Sequence, residues 1–399
     1  MPPKKPQQRR RFGFARQVPS GRWQASYIDP RSGQRLSGEG TFRTKTEADR
    51  WLVDIEARLN RGDLPDLRLS RMTLEQWAQE WLATLQVRVN TAEKYASLLR
   101  RHVLPVFGGT RVNAITRTDV ARFVTEMGRA GAGAGTVANA RRVLSMVLNE
   151  AVRSNAIRQN PCDGVRVRRS RKDEMVFLTR PEVFALADAI ASPAVRYGGG
   201  EHRRAGYPEY GLLIRFVAET GLRAGEMAAL RVGRVDVINR RVEVAESATE
   251  VPSRLAAGGL IFDDPKTYEH RSVPLHAALA DDLANHLLGR PADPDAFVFT
   301  APNGGPLRHT NFYRRHFKPA VIAAGLPART RYHDLRHTCA ALLIAEGAHA
   351  LAVKQRLGHS SITVTFDRYG HLFPSLEEAL TERMESAYRA ALEHREAPL

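Results

Sequence analysis

The chain has almost no cysteine. Cys162 and Cys339 are the only two in 399 residues, which excludes a disulfide framework and a cysteine-built zinc site. No apolar run approaches the roughly 18 residues of a membrane span, and the N-terminus carries no apolar signal core. These absences describe a soluble, cytoplasmic protein of a reducing compartment. Acidic residues are also in short supply: 43 Asp and Glu face 60 Lys and Arg, giving +17 and a pI near 10.4. That excess is silent on fold but calls for a polyanionic partner. Hydrophobic residues, at 43%, suffice for real cores and exclude general disorder. The length allows two or three domains.

What the chain does have is concentrated between Tyr332 and His371. The stretch opens Tyr332-His333-Asp334-Leu335-Arg336-His337-Thr338 and closes with Leu357-Gly358-His359 and Arg368-Tyr369-Gly370-His371. On a helix, His333, Arg336 and His337 stand at i, i+3 and i+4 and share one face. Leu335, Cys339, Leu342 and Leu343 form an apolar stripe beside it. Imidazoles and a guanidinium along one edge of a buried helix suit a phosphate, whose oxygens match the guanidinium fork. Two other readings stand beside this one. The face could be ordinary solvated polarity. The His333 and His337 spacing is also that of a zinc-protease helix, but Asp334 sits where that motif needs Glu, and Arg336 would set a cation beside the metal.

The boxes HDLRHT, LGHSS and FDRYGH resemble the C-terminal signature of the tyrosine recombinases, the phage-integrase family. Upstream, Thr220-Gly221-Leu222-Arg223-Ala224-Gly225-Glu226 resembles that family's first arginine box. Pro265-Lys266-Thr267 with Val273-Pro274-Leu275 resembles its β-hairpin lysine. Each box alone is weak; together, in this order, they are specific and span the C-terminal half. Ser247–Asp264 is longer than a tight family hairpin, which leaves the strand register there open.

Taken in order, residues 1–11 (MPPKKPQQRRR) form a basic, flexible arm able to follow phosphates. Residues 12–65 read as three strands and a helix. Trp23–Ile28 alternates, Asp29-Pro30-Arg31-Ser32-Gly33 turns, and Thr44 with Glu47 makes a capping box. This α+β module resembles the arm-type DNA-binding domain of phage integrases. A small sheet can enter a major groove, so Arg22, Gln24, Ser26 and Arg35 are candidate base readers. Residues 72–165 read as four helices, the first capped by Thr73 and Gln76, with a glycine break at 131–135. Their layout resembles the family's core-binding domain, with Arg100, Arg101, Arg141 and Arg142 as candidate phosphate contacts. Residues 166–177 are a basic linker. Residues 178–399 read as the catalytic domain, mixed α/β with strands at Val242–Val244, Leu260–Phe262 and Ser272–Leu275 in one sheet. The expected fold is therefore multidomain, mainly α with small β-sheets.

The resemblance implies DNA strand transesterification through a 3′-phosphotyrosine on Tyr369, with no cofactor and no metal. It implies that Arg223 and Arg336 clamp the phosphorane, and that His333 receives or holds the phenol proton. Lys266 protonates the leaving 5′-oxygen, His359 donates to a nonbridging oxygen or holds Tyr369, and Glu226 supports Arg223 and His333. From residues alone Tyr369 has a rival role, since Ile362, Phe366 and Tyr369 continue one apolar helical stripe. The C-terminal helix from Ser375 docks on its own domain or on a neighbouring protomer. The implied function is a site-specific integrase of a phage or mobile element. It would act as a homotetramer on paired double-stranded DNA sites, with a directionality factor and a host DNA-bending protein as further partners. The alternatives are a type IB topoisomerase-like enzyme and a non-catalytic DNA-binding regulator.

Overall fold

The computed structural model describes residues 12–30, 33–38, 40–60, 67–168, 174–192, 206–265, 270–288, 290, 293–373 and 376–396. The basic arm 1–11 and Lys266 lie outside the described residues, as does part of the 166–177 segment. The chain divides into two units, residues 1–172 and 173–399.

In the first unit, β1 (Phe14–Gln17), β2 (Trp23–Ile28) and β3 (Arg35–Ser37) form an antiparallel sheet in that order. Alternation sorts β2: Ala25 and Tyr27 turn inward against Ala48, Leu52 and Ile55 of α1 (Lys45–Asn60), leaving Gln24 and Ser26 on the opposite face. Helix α1 starts where Thr44 Oγ1 accepts from the Glu47 amide and Glu47 returns a bond to the Thr44 amide. After the short α2 (Leu67–Ser70) come α3 (Leu74–Thr84), α4 (Val89–Leu98), α5 (Leu104–Phe107), α6 (Arg117–Arg129) and α7 (Ala134–Arg153). They enclose a core that includes Trp77, Trp81, Phe107, Phe123, Val143 and Leu144. Capping boxes start α3 at Thr73 and Gln76, and α6 at Thr116 and Asp119. The glycine break expected at 131–135 is shorter than expected. Gly131 takes φ 85°, but α7 has begun by Ala134 and absorbs Gly135 in its first turn.

The second unit begins with α8 (Arg180–Ala191), capped by Thr179 and Glu182, packed on α9 (Pro208–Thr220). The short α10 (Ala224–Ala228) follows at once. One sheet orders β4 (Val235–Asp236), β5 (Arg241–Val244) and β8 (Arg271–Pro274). Leu260–Phe262 does not join it, contrary to expectation. These residues lie in β7 (Leu260–Asp263), which pairs with β6 (Ser247–Glu250) as a separate antiparallel hairpin. The extra length of this segment is therefore a hairpin of its own. Helices α11 (Ala277–Leu288), α12 (His309–Phe312), α13 (Lys318–Ala323), α14 (Tyr332–Ala345), α15 (Ala350–Leu357), α16 (Ile362–Tyr369) and α17 (Leu376–Glu396) complete the unit.

Both units contain one π-turn of matching sequence, Leu99-Arg100-Arg101-His102-Val103 and Tyr313-Arg314-Arg315-His316-Phe317. Each is followed two residues on by proline, Pro105 or Pro319. Proline has no N–H to give and its ring clashes with the carbonyl four residues back. The preceding amide, of Leu104 or Lys318, instead reaches back five residues to Leu99 O or Tyr313 O. Among the described residues no helix is long and apolar enough to cross a membrane.

Helix α9 ends on Gly221 at φ 68°, a conformation that costs an L side chain roughly 1–2 kcal/mol. A Cβ there would lie 2.4 Å from Leu357 Cδ2 and 3.1 Å from Cys339 Sγ. Gly221→Ala is expected to destabilise the second unit by more than that backbone term alone, read as a lowered denaturation midpoint; an unchanged midpoint would contradict this packing.

Candidate active site

A helix leaves its last carbonyls without intrahelical donors and with partial negative charge. At the end of α15 three successive carbonyls each meet a different arginine. Arg271 Nε donates to Arg356 O (3.1 Å), Arg336 Nη2 to Leu357 O (2.5 Å) and Arg223 Nη2 to Gly358 O (2.8 Å). The local sequence allows this because Gly358 caps α15 in the left-handed region, φ 63° and ψ 55°. Arg336 also donates to Gly221 O (2.6 Å), tying the end of α9 to the same point.

Glu226 is the carboxylate of this cluster and is 2% exposed. Its Oε1 accepts from Arg223 Nη1 (2.6 Å) and Arg271 Nη1 (3.1 Å), its Oε2 from Arg271 Nη2 (2.6 Å) and the Arg223 amide (2.9 Å). Burial alone would raise its pKa, but the hydrogen bonds and charge of Arg271, then the charge of Arg223, pull it down to about 2. Two guanidiniums thus bind one carboxylate while the third, of Arg336, meets only carbonyls, and positive charge is left over. Arg336, 2% exposed, registers that excess: burial, then the neighbouring Arg223, bring its pKa down to about 9.

Tyr369 is the last residue of α16 and is fully buried. Its Oη lies 2.8 Å from His337 Nδ1. Burial pushes the phenol up to about 12 and His337 down to about 4. Of the apolar stripe inferred for this helix only Tyr369 is core, in a buried cluster with Cys339, Ile344, Val353 and Leu357, while Ile362 and Phe366 are 42% and 51% exposed. Tyr369 parts from them because its backbone leaves the helix, at φ −123° and ψ 3°, and the ring turns beneath. His333 stands with its ring centroid 4.7 Å from that of His337 but is exposed to solvent. His359, 3% exposed, lies nearly parallel to the Tyr369 ring, centroids 6.1 Å apart. Its Nδ1 pairs with Thr365 Oγ1 (2.9 Å), while its buried Nε2 has no partner. With Arg336, Arg368, Arg223 and Arg271 near, an orphaned buried nitrogen suits an anion in its Nε2–H tautomer. A groove of about 500 Å³ is lined by Arg241, Arg271, Lys354, Arg356 and His359 among others.

Residues 201–375 match the model of the phage integrase family. Residues 11–61 match the phage integrase N-terminal domain, and 73–128 the phage integrase N-terminal SAM-like domain. The chain belongs to the phage integrase family of tyrosine recombinases. It is 29% identical over 387 residues to a putative prophage phiRv2 integrase of Mycobacterium tuberculosis, covering 91% of this chain and 92% of that one. It is 28% identical over 395 residues to the integrase of Mycobacterium phage L5, covering 94% and 98%. Among solved structures, the fold is similar to the Tn1549 transposon integrase in complex with transposon right end DNA. That likeness has TM-score 0.65 at 23% identity over 79% of this chain and 100% of the other. A lambda integrase tetramer bound to a Holliday junction gives TM-score 0.57 at 18% identity over 90% and 98%.

Of the integrase residues expected from sequence, the structure brings together Arg223, Glu226, Arg336, His359 and Tyr369. His333 stands at the solvent edge, and Lys266 is outside the described residues. Two members were missed. His337 had been placed on the right helix face but given no role. Arg271, whose side chain is 9% exposed, lies five residues beyond Lys266 in a strand, and only its charge at a buried register position could have signalled it. In the first unit, Arg22 is tied to Thr41, Gln24 accepts from Arg16, and Arg35 lies over the Phe14 ring. With Ser26 opposite Phe14 and Ser37, these put a polar and basic face on the sheet. Arg100, Arg101 and Arg142 are exposed. Arg141 is half-buried and donates to Cys162 O.

Burial, followed by nearby positive charge, lowers the pKa values of His337 and His359, to about 4 and about 3, from the ordinary 6.5. The unfolded chain therefore binds these protons more readily. The stabilising contribution is complete above pH 6.5 and is lost as pH falls toward 4. Thermal unfolding followed from pH 7.5 to 5 at constant ionic strength should show a falling midpoint, with a shallower fall in His337→Gln; a flat profile would contradict neutral, buried imidazoles.

Proposed function

We propose that this site-specific tyrosine recombinase breaks and rejoins DNA by attack of Tyr369 Oη on a backbone phosphorus. The bond to the 5′-oxygen breaks as the tyrosyl 3′-phosphate ester forms, so its energy is kept for rejoining. The observation that carries this reading is the buried arginine cluster with positive charge in excess, set beside a buried tyrosine. Arg223 and Arg336 hold the nonbridging oxygens, where charge accumulates in the transition state. His359 Nε2 supplies a further donor to one of them. Lys266 gives the leaving 5′-oxygen its proton.

Fully buried, Tyr369 cannot touch a duplex. His337 holds the phenol until DNA draws the end of α16 outward, and His333, exposed beside it, receives the proton as the phenol meets phosphorus. The groove beside His359 and the basic composition suit double-stranded DNA, with Arg22, Gln24, Ser26 and Arg35 reading bases and Arg100, Arg101 and Arg142 on phosphates. The substrates are attachment sites of a phage or mobile element, paired by four copies of the chain. Met384, Tyr388 and Leu392 of α17 are exposed, which favours docking of that helix on a neighbouring protomer.

The test is covalent trapping on nicked duplexes from DNA flanking the gene, in EDTA, with a denaturing gel. The native chain should form an adduct and Tyr369→Phe none. Arg336→Lys should slow adduct formation by about 10²–10³, the loss of one preorganised donor. An adduct retained in Tyr369→Phe, or salt-sensitive binding without any cleavage, would overturn the assignment.

A further inference from the structure

We infer that Arg271 is a positioning residue of the cleavage reaction, acting on Arg223 through Glu226. The inference rests on the recombinase reading above. Arg271 opens β8, paired with Val244 of β5, directly after the segment that carries Lys266. Its three guanidinium nitrogens are all engaged: Nη1 and Nη2 on the two oxygens of Glu226, Nε on Arg356 O. A bidentate fork of this kind fixes the plane of the carboxylate as well as its place. Glu226 then has one oxygen set for Arg223 Nη1 and the other for the Arg223 amide. With Arg271 removed, the carboxylate could turn about its last bond, and the Arg223 guanidinium would turn with it. The Nε bond to Arg356 O meanwhile holds β8 to the end of α15, one residue before the carbonyl used by Arg336 and two before the one used by Arg223. Gly358 makes room for this, since a Cβ there would lie 3.1 Å from Arg271 Cδ.

The alternative is that the pair contributes stability alone, and the titration of Glu226 separates the two. Glu226 is faced by Arg223, Arg271, Arg336 and the buried Tyr332 hydroxyl. The elements packed on α10 carry Glu250 on β6 and His309 on α12. Arg271 is the strongest force keeping the carboxyl charged against its burial. In Arg271→Gln the carboxyl protonates at higher pH, and a neutral Glu226 no longer anchors Arg223.

The experiment uses the full chain and a nicked duplex that the native protein cleaves. It measures single-turnover adduct formation from pH 5.5 to 8.5, with DNA affinity and unfolding midpoint alongside. At saturating DNA, Arg271→Gln should cleave about 10–100-fold more slowly, the range for a supporting partner, with an acid limb that the native profile lacks. Arg271→Lys should remove the acid limb and recover part of the rate; it carries the test if the glutamine variant does not fold. In Arg271→Gln/Glu226→Gln the limb should vanish while the rate stays low. A rate loss equal at every pH, no better with lysine than with glutamine, would overturn the inference, as would a native rate in Arg271→Gln. Failure of the native chain to form any adduct overturns the recombinase reading itself, and is seen before any variant is made.

Discussion

Three guanidiniums cannot be buried together unless something holds them, and the end of α15 is that something. Its carbonyls at residues 356, 357 and 358 offer partial negative charge that no helical amide can use. Each takes one arginine, from β8, α14 or the start of α10. Glu226 supplies the only full negative charge in this network and binds two of the three. Removing one partner from such a buried pair costs about 3–5 kcal/mol, because the other charge is stranded. The remaining positive excess is what a phosphodiester would neutralise. One set of contacts thus fixes α9, α10, α14, α15 and β8 and also builds the anion site.

Beside this cluster the tyrosine stays neutral. Burial pushes its phenol up to about 12 against the charges of Arg336 and Arg368, and it lies under α16 with a hydrogen bond to a neutral histidine. Helix α16 is eight residues long and buries only Thr365 and Tyr369, while Ile362 and Phe366 are exposed. His337 holds the phenol from the neighbouring helix α14.

Much of the fold was legible because it is local. The capping boxes at Thr44, Thr73 and Thr179, and the alternation in β2, need only residues within a few positions of one another. The family boxes were legible for a similar reason, since HDLRHT lies within two turns of one helix. Where local signals competed, reading failed. Gly135 looked like part of a break but lies in the first turn of α7, because one residue at positive φ, Gly131, suffices for the turn. Leu260–Phe262 looked like a member of the β8 sheet, because apolar alternation does not say which strand is the neighbour.

The sequence by itself determined the candidate groups: which arginines, which histidines and which tyrosine are available, and on which helices they stand. Only the tertiary structure decided who meets whom. Arg223 reaches a carbonyl 135 residues away, Arg271 one 85 away and a carboxylate 45 away, and Tyr369 a histidine 32 away. Such pairs leave no periodicity, since their partners come together through the packing of separate elements around a common core. Arg271 therefore drew no reading from sequence, and His337 stood on the shared helix face without a role of its own, until helix ends and sheet register put each beside its partner.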